Sequence, residues 1–226
     1  MVVKLTSLPK ILIILYFINL FIYSISSLIG IKTLEDFSWA IRIPILVVLY
    51  FVTSKKRESF YVIALLLYQL ASIFFKFETP TTFIYATIFS VFYKVCLVAL
   101  VLDLVTKKDK LAFSIASVPF FIFYLYIIQI VFESIGDVYY VWIINAFLTS
   151  FIGGVAIINY LNNSDKKSFW LLISGILFVV QIGAFFINKF YIKNESIYQI
   201  VILTYAISHF TFYKFLILKE QEKYVN

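Results

Sequence analysis

Ala86-Thr87-Ile88-Phe89-Ser90-Val91-Phe92-Tyr93-Lys94-Val95-Cys96-Leu97-Val98 is the stretch that decides the fold. It lies inside an apolar run from Thr82 to Leu102, long enough to cross a bilayer as one helix. At helical rise, Lys94 is roughly 18 Å from Thr82 and roughly 13 Å from Asp103. A lysine stem snorkels about 6 Å, too little to carry this ammonium to either headgroup layer. A lysine at mid-membrane costs about 3 kcal/mol on insertion scales and faces a bundle interior or a wet cavity. Thr87, Ser90 and Lys94 fall at i, i+3 and i+7, on one helical face. That face is expected to point inward, with the other helices arranged around it.

The rest of the chain agrees. Of 226 residues, 63% are hydrophobic and 14% charged, where a soluble domain is nearer half apolar and a quarter charged. The mean hydropathy is +0.99, and the reading is a polytopic, all-α membrane bundle. A formal charge of +7 would suit nucleic acid, but the lysines cluster between apolar runs, where they read as topology signals. Nucleic acid is therefore not an expected partner. Cys96 is the single cysteine, so there is no disulfide framework. The first apolar run follows Lys4 and Lys10 and has no small-x-small cleavage site, so it is kept as a helix.

Eight segments are expected to span, over about 11–29, 37–52, 60–75, 82–102, 111–132, 138–160, 168–188 and 197–218, in a single domain of residues 1–226. The second carries Arg42, read as near enough to the segment's start to snorkel, and Pro44, read as lying in a first turn. Pro119 is expected to kink the fifth, and Gly153-Gly154 to allow close approach or a bend in the sixth. Lys4, Lys10, Lys55, Lys56, Arg57, Lys107, Lys108, Lys110, Lys166, Lys167, Lys219 and Lys223 fall on one side of such a bundle. Lys32, Lys76, Lys189 and Lys193 fall on the other, mostly beside Glu35, Asp36, Glu78 and Glu195. The lysine-rich side is cytoplasmic by the positive-inside rule, giving N-in and C-in and a multi-pass protein of a bacterial plasma (inner) membrane.

All 12 acidic residues fall in loops or at segment ends, which leaves Lys94 without a carboxylate at its depth. It is uncharged, hydrated, or paired with a lipid phosphate that enters the bundle. Other polar residues inside segments are Ser174, Gln181 and Asn188 at spacings of seven, Tyr205 and His209 four apart, Tyr68 and Ser72 four apart, and Asn145 with Thr149. Interhelical hydrogen bonding accounts for most such residues singly. His209, the single histidine, could as well be packed as act as acid or base. Lys94, His209, Tyr205 and Gln181 are the candidate catalytic residues; Ser90, Thr87, Ser72 and Tyr68 are the candidate substrate-binding residues. The fourth, seventh and eighth segments are expected to converge on one hydrated cavity holding Lys94, Gln181 and His209. One histidine and one cysteine leave no three-ligand zinc site, and no P-loop, G-x-S-x-G or G-x-G-x-x-G occurs. No metal and no cofactor is expected.

Several strings resemble the YhhN family, lysoplasmalogenase-like membrane proteins with eight helices. Ile43-Pro44-Ile45-Leu46-Val47-Val48-Leu49-Tyr50-Phe51 followed by Lys55-Lys56-Arg57 resembles its K-P-x-x-x-P-x-L segment and basic loop. Ala64-Leu65-Leu66-Leu67-Tyr68-Gln69-Leu70-Ala71-Ser72 resembles A-L-x-F-S-x-x-G-D, and Phe83-Ile84-Tyr85-Ala86 followed by Lys94 resembles F-x-x-G with a later histidine. Gly175-Ile176-Leu177-Phe178-Val179-Val180-Gln181-Ile182 with Ile187-Asn188-Lys189-Phe190 resembles G-A-x-x-F-x-x-S-D and I-N-K-F. Thr204-Tyr205-Ala206-Ile207-Ser208-His209 resembles T-Y-Y-x-A-Q. The resemblance implies a lysolipid partner and vinyl-ether hydrolysis by ionisable groups in the site. It also places Ser72 and Ile182 where the family has aspartates, Lys94 where it has histidine, and His209 where it has glutamine. The expected function is therefore hydrolysis of a lysolipid vinyl ether, or binding of a membrane lipid or lysolipid by a catalytically altered relative. The alternatives are a carrier of small solutes or lipids and a non-enzymatic accessory membrane subunit.

Overall fold

Each apolar run becomes a helix whose ends carry recognisable stop and start chemistry. The computed structural model describes residues 7–77, 79–105 and 110–222. Lys4, Glu78, Lys107, Lys108 and Lys223, counted above among the loop and end charges, lie outside the described residues. Helix α1 (Leu8–Ile29) opens on Pro9 and closes at Gly30, whose φ of 74° only glycine adopts without strain; there the Ile31 N–H donates to Ser26 O at 2.9 Å. Next come α2 (Lys32–Thr53), α3 (Ser59–Lys76) and α4 (Pro80–Val101), the last capped by Thr79 Oγ1, which accepts from the Thr82 N–H. Helix α5 (Lys110–Ile130) is followed by a single turn, α6 (Phe132–Ile135), and by α7 (Tyr139–Asn163). Helix α8 (Lys166–Phe186), capped by Asp165, runs into a π-helical turn over Ile187–Tyr191, and α9 (Glu195–Glu222) ends the described chain.

Among the described residues there is no strand, and eight helices are long and apolar enough to cross a membrane. The protein is an all-α, multi-pass membrane protein. Large apolar side chains such as Phe21, Leu111, Ile122 and Phe147 point outward along these helices, as lipid-facing surfaces do. The closest helix pairs are α1–α2, α3–α4, α5–α7 and α8–α9. Gly153 and Gly154 let α7 close on α5: a Cβ at Gly154 would fall 2.1 Å from Ser117 Oγ and 3.0 Å from Phe113 O. Pro119 lies inside α5, which continues through it as one helix. Side chains also tie helices together: Tyr16 Oη donates to Ala206 O at 2.8 Å, and Ser174 Oγ to Ser208 O at 2.9 Å.

The second span departs from expectation, and the departure matters for the site. It begins at Lys32, five residues before Phe37, with Glu35 in its first turn. Arg42 therefore sits ten residues into the helix, roughly 15 Å from its start. It does not snorkel: it is 2% exposed. Pro44 is likewise an interior residue rather than a first-turn one, and its missing N–H frees the Ala40 carbonyl. Gln69 Nε2 of α3 donates to that oxygen at 3.4 Å.

Candidate functional site

One end of the bundle carries the α1–α2, α3–α4 and α8–α9 connections, and from it a cavity of about 220 Å³ runs inward between α2, α3, α4, α8 and α9. Its mouth is polar. Lys76 at the end of α3 pairs with Asp36, Tyr198 Oη donates to Glu35 Oε1 at 3.1 Å, and the hydroxyls of Tyr198 and Tyr23 lie 3.0 Å apart. Trp39 stands one turn below Asp36 on α2, with its Nε1 donating to Ser72 Oγ at 2.8 Å.

The inner part holds two basic side chains. Lys94 is fourteen residues into α4, roughly 21 Å along it, and is 2% exposed. Its Nζ stands 4.0 Å from the Phe178 ring centre and 5.0 Å from that of Tyr93. Arg42 lays its guanidinium over Tyr205, 3.4 Å from the ring centre, with Tyr23 at 5.2 Å. The faces of both cations are thus used by aromatic rings. Their N–H groups are not: Arg42 Nε and Nη1 have no hydrogen-bond partner, and among the described residues no carboxylate pairs with Arg42 or Lys94. The carboxylates Glu35 and Asp36 lie at the mouth with Lys76, while the inner part carries Arg42 and Lys94 without a carboxylate partner among the described residues.

Six of the eight sequence candidates line this cavity: Lys94, Tyr205, Gln181, Ser90, Ser72 and Tyr68. Two of those hydroxyls are already engaged, Ser72 by Trp39 and Ser90 by Asn145 Nδ2 at 2.8 Å. Thr87 and His209 do not line it. Thr87 turns its hydroxyl back to Phe83 O at 2.8 Å, within its own helix. His209 is fourteen residues into α9, level with Lys94 as the sequence suggests, but it sits behind the cavity wall. Its ring packs on Tyr68 at 4.5 Å, Tyr205 at 5.0 Å and Tyr93 at 5.5 Å, and its Nε2 has no partner. The expected cavity shared by Lys94, Gln181 and His209 is therefore corrected: the first two line it, and the histidine supports the aromatic rings that do.

Sequence reasoning missed Arg42, Trp39, Tyr23, Tyr198 and Glu35. The available signal was the start of α2, where Glu35 follows Lys32-Thr33-Leu34 as an acid favoured in a first helical turn. Moving the start there carries Arg42 to mid-span.

Comparisons with family models, with curated proteins and with solved structures return no match for this chain. Among the described residues there is also no cluster of three or more metal-ligating His, Cys, Asp or Glu side chains.

Proposed function

We propose that this chain is a YhhN-like integral membrane protein that binds a lysolipid and has altered or lost the hydrolytic chemistry of that family. One observation carries the reading. Ser72, Ile182 and Lys94, assigned by resemblance to the positions of the family's two aspartates and its intramembrane histidine, line a single cavity although they come from three helices. A shared pocket is what a common site requires. Vinyl-ether hydrolysis needs one group to protonate the alkene and another to activate water. Serine and isoleucine supply neither, while Glu35 and Asp36 lie at the mouth and are engaged by Tyr198 and Lys76.

The cavity has room for a glycerophosphate-sized head group. The second reading is a carrier of small solutes through the same polar-mouthed cavity, which counterflow of a labelled solute would reveal. For orientation, we place the end bearing Lys55, Lys56, Arg57, Lys166 and Lys167 in the cytoplasm of a bacterial cell and the cavity mouth on the opposite side of its plasma membrane. The test is to incubate purified protein with a lysoplasmenyl lipid and to measure both retention of the lipid and release of aldehyde. Retention with little aldehyde is expected. Turnover like that of a relative bearing both aspartates would overturn the loss of chemistry, and absence of retention would overturn the lysolipid reading.

A further inference from the structure

We propose that Arg42 and Lys94 together form an oxyanion site, taking a phosphate of the size of a glycerol phosphate or phosphomonoester. The proposal rests on the cavity of the lysolipid reading and names the chemistry that the cavity recognises.

Two charged side chains, each 2% exposed, line one cavity from different helices, and among the described residues neither has a carboxylate partner. Buried charges are ordinarily paired, and two of like sign sharing a cavity raise each other's cost. Solvation by aromatic faces alone leaves the strongest interaction of each group unmade. The guanidinium carbon lies 3.4 Å from the Tyr205 ring centre, and its Nε and Nη1 are left to an acceptor. The amino group of Lys94 stands near the Phe178 and Tyr93 rings and, when protonated, has three donors to offer. A tetrahedral oxyanion between them supplies several acceptors at once and cancels the repulsion. The carboxylates at the mouth do not serve instead, because Asp36 is paired with Lys76 and Glu35 is turned to Tyr198.

The protein is purified in neutral detergent without phosphate, and binding is followed by the fluorescence of Trp39, which lines the cavity. The probes are inorganic phosphate, glycerol 3-phosphate, a single-chain lysophosphatidic acid and a monoacylglycerol of the same chain. Arg42→Gln and Lys94→Gln are each expected to weaken the three phosphate-bearing probes about ten- to hundredfold, the loss of a charged hydrogen-bonding partner. Lys214→Gln, which removes a half-buried charge outside the cavity, is expected to change nothing. Wild-type protein supplies a check that needs no variant: inorganic phosphate should displace lysophosphatidic acid, and chloride at equal concentration should not. Undiminished binding in both glutamine variants, or equal displacement by chloride, overturns the site. Variant-sensitive glycerol phosphate binding that an acyl chain does not tighten upholds the site and overturns the lysolipid reading. Monoacylglycerol bound as tightly as its phosphate, and indifferent to both variants, upholds a lipid pocket and overturns the oxyanion site.

Discussion

Replacing Lys94 by methionine should stabilise the protein when no anion is bound. A lysine held at the centre of a spanning helix carries a penalty of about 3 kcal/mol. Contacts with Phe178 and Tyr93, at 4.0 and 5.0 Å, return about 1–2 kcal/mol of it. The unbound protein therefore bears a net cost of about 1–2 kcal/mol at this one side chain. Methionine has nearly the same length, packs against aromatic rings through its sulfur, and carries no charge. Lys94→Met should accordingly raise the free energy of unfolding by about 1–2 kcal/mol, measured by reversible denaturation in mixed micelles free of phosphate and carboxylates. Adding glycerol 3-phosphate should stabilise the wild type more than the variant at every concentration, so the gap between them narrows as ligand is added. A loss of about 3–5 kcal/mol in the unbound variant would refute the reasoning, since that is the signature of a broken buried pair rather than of a removed unpaired charge.

Gly154→Val should cost about 1–3 kcal/mol, seen as a lowered unfolding temperature, because even its Cβ would press on Ser117 Oγ and on the backbone of α5. A neutral result would mean that α5 and α7 are not held at this spacing. Single thiols introduced at Lys32, Asp137 and Glu195 in a chain with Cys96 replaced should react with an impermeant reagent in sealed cells, and one at Lys56 should not. Labelling at Lys56 alone would invert the assigned orientation.

The spans were legible because a membrane allows so few solutions. Backbone groups in lipid must bond within the segment, so each long apolar run becomes a helix, and the expected limits fall within a few residues of the observed ones except at α2. There hydropathy misled. Lys32, Glu35 and Asp36 depress the local average, although first-turn acids are helix-starting chemistry. That five-residue shift hid Arg42. Lys94 was legible because its apolar flanks are long on both sides, so depth alone made it an anomaly. His209 shows the limit of depth as a guide. Its level along α9 was correct, but which ring faces the cavity depends on helix rotation, which aromatic packing against Tyr68, Tyr93 and Tyr205 decides.

The same aromatic packing explains how the bundle can tolerate unpaired charge. Tyr93, Tyr205 and Phe178 are buried, meet one another or His209 ring to ring, and belong to the main core cluster. They hold the cations from behind, and their positions are set by the core rather than by any ligand. Elsewhere, interhelical polar groups are matched, as in Asn145 to Ser90, Asn159 to Ser168 and Asn19 to Ser38 O. Matching fails at Arg42 where it enters the cavity, and at Tyr93, Tyr205, Trp142 and His209 in or beside its wall. Unpartnered buried donors also occur away from the pocket, at the Tyr61 and Tyr124 hydroxyls, but the guanidinium of Arg42 is the charged group among them and it lines the cavity. Basic groups with open donors, held by a packed aromatic wall, make a pocket that is costly when empty and favourable to fill with an anion, and the pairing of Asp36 with Lys76 and of Glu35 with Tyr198 lowers the barrier its mouth would raise to that anion.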